Sequence, residues 1–153
     1  MRKNPARLSA LLGGACLLAG CASGPQTQAL APAGFDRVTV GGELRQRIER
    51  NFDRLETDYY QPDQVYWTEE QSGGWPGDKE GRTILALVLD ARASGRTPLY
   101  LDELIRRLPR ELNAKGYLGS IHEGSADEQQ LSGHGWLLRG LCEYYAWKKD
   151  PQV

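Results

Sequence analysis

The chain has 153 residues, 40% of them apolar and 25% charged, with 19 Lys and Arg against 20 Asp and Glu for a formal net charge of −1. That balance lacks the basic excess of a nucleic-acid-binding protein, so no nucleic-acid partner is expected. Three cysteines, at 16, 21 and 142, exclude a disulfide framework.

Arg2, Lys3 and Arg7 precede an apolar run from Leu8 to Gly20. The run is too short for a bilayer span, which takes about 20 residues, and has the order of an export signal. It closes on Leu18-Ala19-Gly20-Cys21, which resembles the lipobox of bacterial lipoproteins. The resemblance implies cleavage after Gly20 and acylation of Cys21, with Ala22 at the next position favouring delivery to the outer membrane. Residues 1–20 are therefore expected to be a lipoprotein signal peptide and the membrane a partner through a lipid anchor. Residues 21–34, rich in Ala, Pro, Gly and Gln and without charge, cannot bury an apolar face and read as a flexible tether.

The remainder, 35–153, reads as one all-α domain of antiparallel helical hairpins. Arg37-Val38-Thr39-Val40 alternates polar and apolar before Gly41-Gly42 breaks it, predicting one short N-terminal strand or extended segment. Leu44, Ile48, Phe52 and Leu55 then recur at helical spacing, and the Gln61-Pro62 step ends that helix. The aromatic, Gly-rich stretch from Val65 to Gly77, with Trp67 and Trp75, is expected to be an ordered loop. Asp78 is predicted to cap a second long helix built on Ile84, Leu85, Leu87, Val88 and Ala91. A third helix carries Leu101, Leu104, Ile105, Leu108 and Leu112, with Pro109 interrupting its last turn and Gly116 placed as a left-handed cap. The last is predicted from about Gly133 to Lys148, with Trp136, Leu137, Leu141, Tyr144 and Tyr145 on a core face and Cys142 as a small core residue.

Between these last two helices, Tyr117–Leu131 is polar and long for a helix–helix connection, and such loops are commonly functional. With His122 inside it, His134 just beyond it and Trp75 on the earlier loop, it offers the aromatic and polar groups a sugar cleft uses. His122 and His134 lack a third ligand at a defined spacing, so no metal site is expected. Asp78 with Glu80, or Glu123 with Asp127 and Glu128, could supply paired carboxylates for acid–base hydrolysis. Loop acids of this kind more commonly cap helices or face solvent. No catalytic residue is assigned.

Four segments in order resemble the bacterial glycoside hydrolases related to β-L-arabinofuranosidases (glycoside hydrolase family 127 and relatives). They are Phe35–Val40 with Gly41-Gly42, Arg47 and Asn51; Trp75-Pro76-Gly77-Asp78-Lys79-Glu80-Gly81-Arg82; Leu101–Leu104 through Lys115-Gly116-Tyr117-Leu118-Gly119; and His134 with Trp136-Leu137-Leu138, Gly140-Leu141 and Tyr144-Tyr145. The resemblance implies part of an (α/α)6 barrel, a carbohydrate substrate, and His134, Tyr117 and Trp75 on the substrate side. The family's zinc cluster, Cys nucleophile and acid/base Glu are expected farther along a longer chain, so no cofactor is expected within these residues. About four helices are expected here against the twelve of a full barrel. The expected protein is the N-terminal part of an exported, lipid-anchored glycosidase, inactive alone. The alternative is a small non-catalytic carbohydrate-binding or structural envelope lipoprotein.

Overall fold

A computed structural model describes residues 30–66 and 73–153. The signal segment, Cys21, most of the tether and Trp67 lie outside the described residues. The chain divides after Pro32, and the unit Ala33–Val153 holds all the elements that follow. These are helical, and no strand occurs among the described residues. Of the short strand or extended segment expected at Arg37–Val40, the structure shows unpaired extended chain, entered through a 3-10 turn at Phe35–Arg37.

Helix α1, Gly42–Leu55, buries only its C-terminal half, through Phe52 and Leu55, while Leu44 is 62% exposed. Its first half is held by charge. Arg45 Nη2 donates to the carbonyl of Ser94 at 2.8 Å and Nη1 to that of Ala93 at 3.5 Å. These carbonyls end the next long helix, where no intrahelical donor remains. A 3-10 turn at Asp58–Tyr60 leads to the single-turn helix α2, Pro62–Val65, with proline at its first position, where its missing N–H costs nothing. Val65 and Tyr66 then plug the core, and the Tyr66 hydroxyl donates to the Leu104 carbonyl.

Helix α3, Asp78–Ser94, supplies the centre of the core with Ile84, Leu87, Val88 and Ala91. Asp78 is not its cap. The N-cap is Gly77 at φ 92°, and the buried Glu80 carboxylate accepts the Gly77 N–H at 3.0 Å. Asp78 is the first helical residue and pairs with Arg82 one turn on, at 2.9 Å. Gly95 closes α3 in the left-handed conformation.

Helix α4, Leu101–Glu111, turns Leu101, Leu104, Ile105 and Leu108 inward and carries Pro109 in its last turn. Gly116 is left-handed as expected, at φ 83°, but it does not cap α4, which has already ended at an extended Leu112. It closes a tight turn in which the Asn113 N–H donates to the Tyr117 carbonyl and the Gly116 N–H to that of Asn113. Helix α5, Glu128–Lys148, begins five residues before the predicted Gly133, because Asp127 is its N-cap and accepts the Gln130 N–H at 2.7 Å.

Helices α1 and α3 run antiparallel, with Arg45 beside Ala93 and Ser94 and Asn51 beside Asp90. Helices α3 and α5, the second and fourth of the long helices, pack side by side. Gly77 lies against Gly133, Gly81 against Trp136 and Leu137, and Gly140 against Gly81 and Leu85, so the two helices run parallel. The chain therefore returns through α4 and its flanking loops between them. Contact is backbone to backbone. A Cβ on Gly81 would lie 2.2 Å from the Leu137 nitrogen, and one on Gly133 2.3 Å from the Pro76 oxygen.

The inner face of α5 is thus Gly133, Leu137, Gly140 and Tyr144. That register corrects two expectations. Cys142 is exposed rather than buried, and Tyr145 and Leu138 also face outward, Leu138 at 62% exposure.

Replacing Gly81 with Ala is expected to cost about 3 kcal/mol or more, since backbone cannot yield to the new methyl. Gly135→Ala, whose Cβ meets nothing within 4 Å, is expected to stabilise the domain by about 0.5–1 kcal/mol. Thermal melts of the two variants check the pair.

A second expectation concerns Asp90, buried in α3 with Asn51 Nδ2 donating to it at 2.7 Å. Burial raises its carboxyl above the usual aspartate value of 3.8, outweighing the Asn51 hydrogen bond that lowers it. The native state then holds this proton longer than the unfolded chain, so the Asp90 contribution falls as pH rises from 3.8 through the raised value. Asp90→Asn is expected to gain stability relative to the parent between pH 4 and pH 7, read as a growing difference in melting temperature.

Candidate functional site

The parallel pairing brings the N-terminal ends of α3 and α5 together, and with them the two loops that the sequence singles out. The Trp75 carbonyl accepts the Asp78 N–H at 3.1 Å, and Pro76 and Gly77 lie against Gly133. Gly119, in the loop after α4, sits against Pro76 and Gln130, too close for any side chain of its own.

Beside this junction is a depression of about 340 Å3, whose walls include Tyr117, His122, Ser125, Asp127, Gln130 and His134. Two of the three expected substrate-side residues, Tyr117 and His134, therefore share one wall. Their rings meet edge to face at 5.9 Å. Trp75, 40% exposed, is at the same end of the helices but does not line the depression.

His134 lies in the second turn of α5, not at the helix start, and both its ring nitrogens have backbone partners. Nδ1 is 2.7 Å from the Gln130 carbonyl, one turn back, and Nε2 is 3.0 Å from the Leu118 nitrogen. A carbonyl only accepts and an amide N–H only donates, which assigns the proton to Nδ1 and the lone pair to Nε2. A sugar hydroxyl would have to displace one of these bonds to reach a ring nitrogen. What His134 leaves to the depression is its ring surface beside Tyr117.

Gln130 completes the clamp. Its Nε2 donates to the Leu118 carbonyl at 2.8 Å and the Ser120 carbonyl at 3.0 Å. Asn113 holds the other side of the loop through Nδ2 to the Gly119 carbonyl at 2.9 Å. The sequence reading missed Gln130 and Asn113. For Gln130 the signal is present: it stands four residues before His134, on one face of a helix that starts at Asp127.

The acidic groupings are committed to local structure. Glu80 holds the start of α3, Asp78 pairs with Arg82, and Asp127 caps α5. Glu123 pairs with Lys115 at 3.0 Å, and Glu128 is exposed in the first turn of α5. Among the described residues no group of three His, Cys, Asp or Glu side chains is placed to hold a metal ion.

No protein-family model, curated protein or solved structure matches the chain.

Removing the His134 ring is expected to release the loop it pins. His134→Ala should cost about 1–3 kcal/mol, chiefly through the stranded Leu118 N–H, since the Gln130 carbonyl keeps its place in the helix ladder, and amide exchange should accelerate at Leu118 and Ser120. A side chain acting on ligand alone would leave both readouts unchanged.

Proposed function

We propose that these residues are the N-terminal part of an exported, lipid-anchored glycoside-hydrolase-like protein. It acts on arabinose-containing carbohydrate through the joined N-terminal end of α3 and α5. The observation that carries this reading is the parallel α3–α5 pair with the chain returning between them. Hairpins set around a ring bring every second helix into parallel contact, which is the repeating step of an (α/α)6 barrel. A second feature agrees with it. Leu131, Leu138 and Tyr145 run down the outward side of α5 and are all exposed, an apolar stripe on the flank where a further helix of the ring would pack.

The fold analogy alone gives no chemistry. The four sequence segments that resemble the β-L-arabinofuranosidase-related hydrolases supply the substrate class, and Tyr117, His134 and Trp75 are the residues offered to it. Catalytic acid, nucleophile and zinc ligands belong, on this reading, farther along a longer chain. The basic start, apolar run and Cys21 of the lipobox-like segment support anchoring to the bacterial outer membrane. Among the described residues no helix is long and apolar enough to cross a membrane.

The employment of the acidic residues in caps and ion pairs favours a second reading, a carbohydrate-binding envelope lipoprotein without chemistry. One experiment serves both. Calorimetric titration of the full chain with arabino-oligosaccharides is expected to show weak binding that Trp75→Ala and Tyr117→Ala each reduce about tenfold. No sugar should be released by the chain alone. If binding is lost in neither variant, or absent from a folded chain, the carbohydrate reading fails.

A further inference from the structure

On the α1 side of α3 lies a second cleft, of about 400 Å3, that the carbohydrate reading does not use. Its walls include Arg54 from the end of α1, Tyr59 and Tyr60 from the 3-10 turn, and Asp78, Lys79 and Arg82 from the first turns of α3. Three cations thus line it against one carboxylate among the described residues.

The cations are set in place by the fold. Arg54 donates to the Tyr60 hydroxyl and the Asn51 side-chain oxygen, both at 3.1 Å. Arg82 Nε is held by Asp78 at 2.9 Å, while its guanidinium lies over the Trp136 ring, 4.4 Å from the centroid. Lys79 Nζ donates to the Gln64 carbonyl at 2.7 Å and stands 4.0 Å from the Tyr59 centroid. Each guanidinium carries five donors, so these bonds orient Arg54 and Arg82 without exhausting them. Burial holds the Lys79 amine below the usual lysine value, against the pull of Glu80 that raises it. An anion beside that amine would offset the burial. Tyr59, 56% exposed and braced edge to face by Tyr60 at 4.9 Å, adds a fixed aromatic surface at the mouth.

We propose that this cleft binds an acidic saccharide, with Arg54 and Arg82 holding its anionic group and Tyr59 covering the apolar face of its sugar ring. Fixed guanidinium groups recognise carboxylate and phosphate in a way a solvated lysine does not, and a tyrosine face suits a pyranose ring. The site is separate from the Tyr117–His134 depression, so it stands or falls apart from the arabinose reading.

The test is titration of the full chain with trigalacturonate, with the neutral galactose trisaccharide and inorganic phosphate as comparison probes. Trigalacturonate is expected to bind, to weaken as salt is raised, and to lose about tenfold in affinity with either Arg82→Gln or Arg54→Gln. Tyr59→Ala should weaken it by a similar factor, and Lys115→Gln, outside the cleft, should leave it unchanged. Helical circular dichroism confirms that each variant is folded, and the two arginine variants serve as independent checks on one another. Equal binding of the neutral trisaccharide overturns the anionic part of the proposal. Inorganic phosphate binding as tightly as trigalacturonate overturns the saccharide part. Trigalacturonate that fails to bind, or binds the folded arginine variants undiminished, overturns the whole. Arabino-oligosaccharide binding should be indifferent to Arg54→Gln, so failure of one site is distinguishable from failure of the other.

Discussion

Everything in this domain is registered on the place where α3 and α5 touch without side chains between them. Gly77, Gly81, Gly133 and Gly140 let two backbones approach to a distance at which even a methyl group collides. Close-packed interiors tolerate little change of volume, and here the neighbours are main-chain atoms that cannot rotate aside. The contact fixes the relative height of the helices to within a turn. That height sets Pro76 against Gly133, brings the loop after α4 over Pro76 through Gly119, and aligns Gln130 and His134 with Leu118. The depression at this end is a consequence of that glycine register.

Helix α1 is attached to α3 by a different kind of force. Helix α1 brings only two fully buried apolar residues to the core, and its attachment to α3 is otherwise polar. Arg45 holds the last carbonyls of α3, Asn51 meets Asp90, and Arg96 joins Asp53 at 2.7 Å and Glu49 at 3.1 Å while lying over the Phe52 ring. Exposed ion pairs contribute little singly, but Arg45 acts on carbonyls that would otherwise lack donors. The domain thus combines a rigid pair with a more polar, salt-sensitive flank.

Helical periodicity made the long helices legible, and Leu101 to Leu108 or Ile84 to Ala91 needed nothing more. The pairing of those helices was not legible in the same way. A glycine at 81 or 140 reads locally as a weak helix residue, and only a partner backbone gives it a reason. Without that partner the apolar spacing alone turns part of the inward face of α5 one position too far round, and so puts Cys142 and Tyr145 inside. The start of α5 was missed because Asp127 caps it from within a polar stretch that has no apolar period. At the depression, Tyr117 and His134 were identifiable as residues. The partners of the His134 ring were not, because they are main-chain groups, the Gln130 carbonyl one turn back and the Leu118 N–H across the loop, which no side-chain pattern announces.

Parallel packing also has an electrical consequence that an antiparallel hairpin lacks. Two helices side by side in the same sense align their peptide dipoles, so partial positive charge accumulates at one end of the pair and partial negative charge at the other. The sequence answers at both ends: Asp78, Glu80, Asp127 and Glu128 gather at the positive end, and Arg45, Arg92, Lys148 and Lys149 at the negative one. The acids that draw the eye as candidate chemistry are, on this view, counter-charges to the backbone. The domain is polarised along its length, and a molecule approaching the Tyr117–His134 end meets a field set by main chain and carboxylates together.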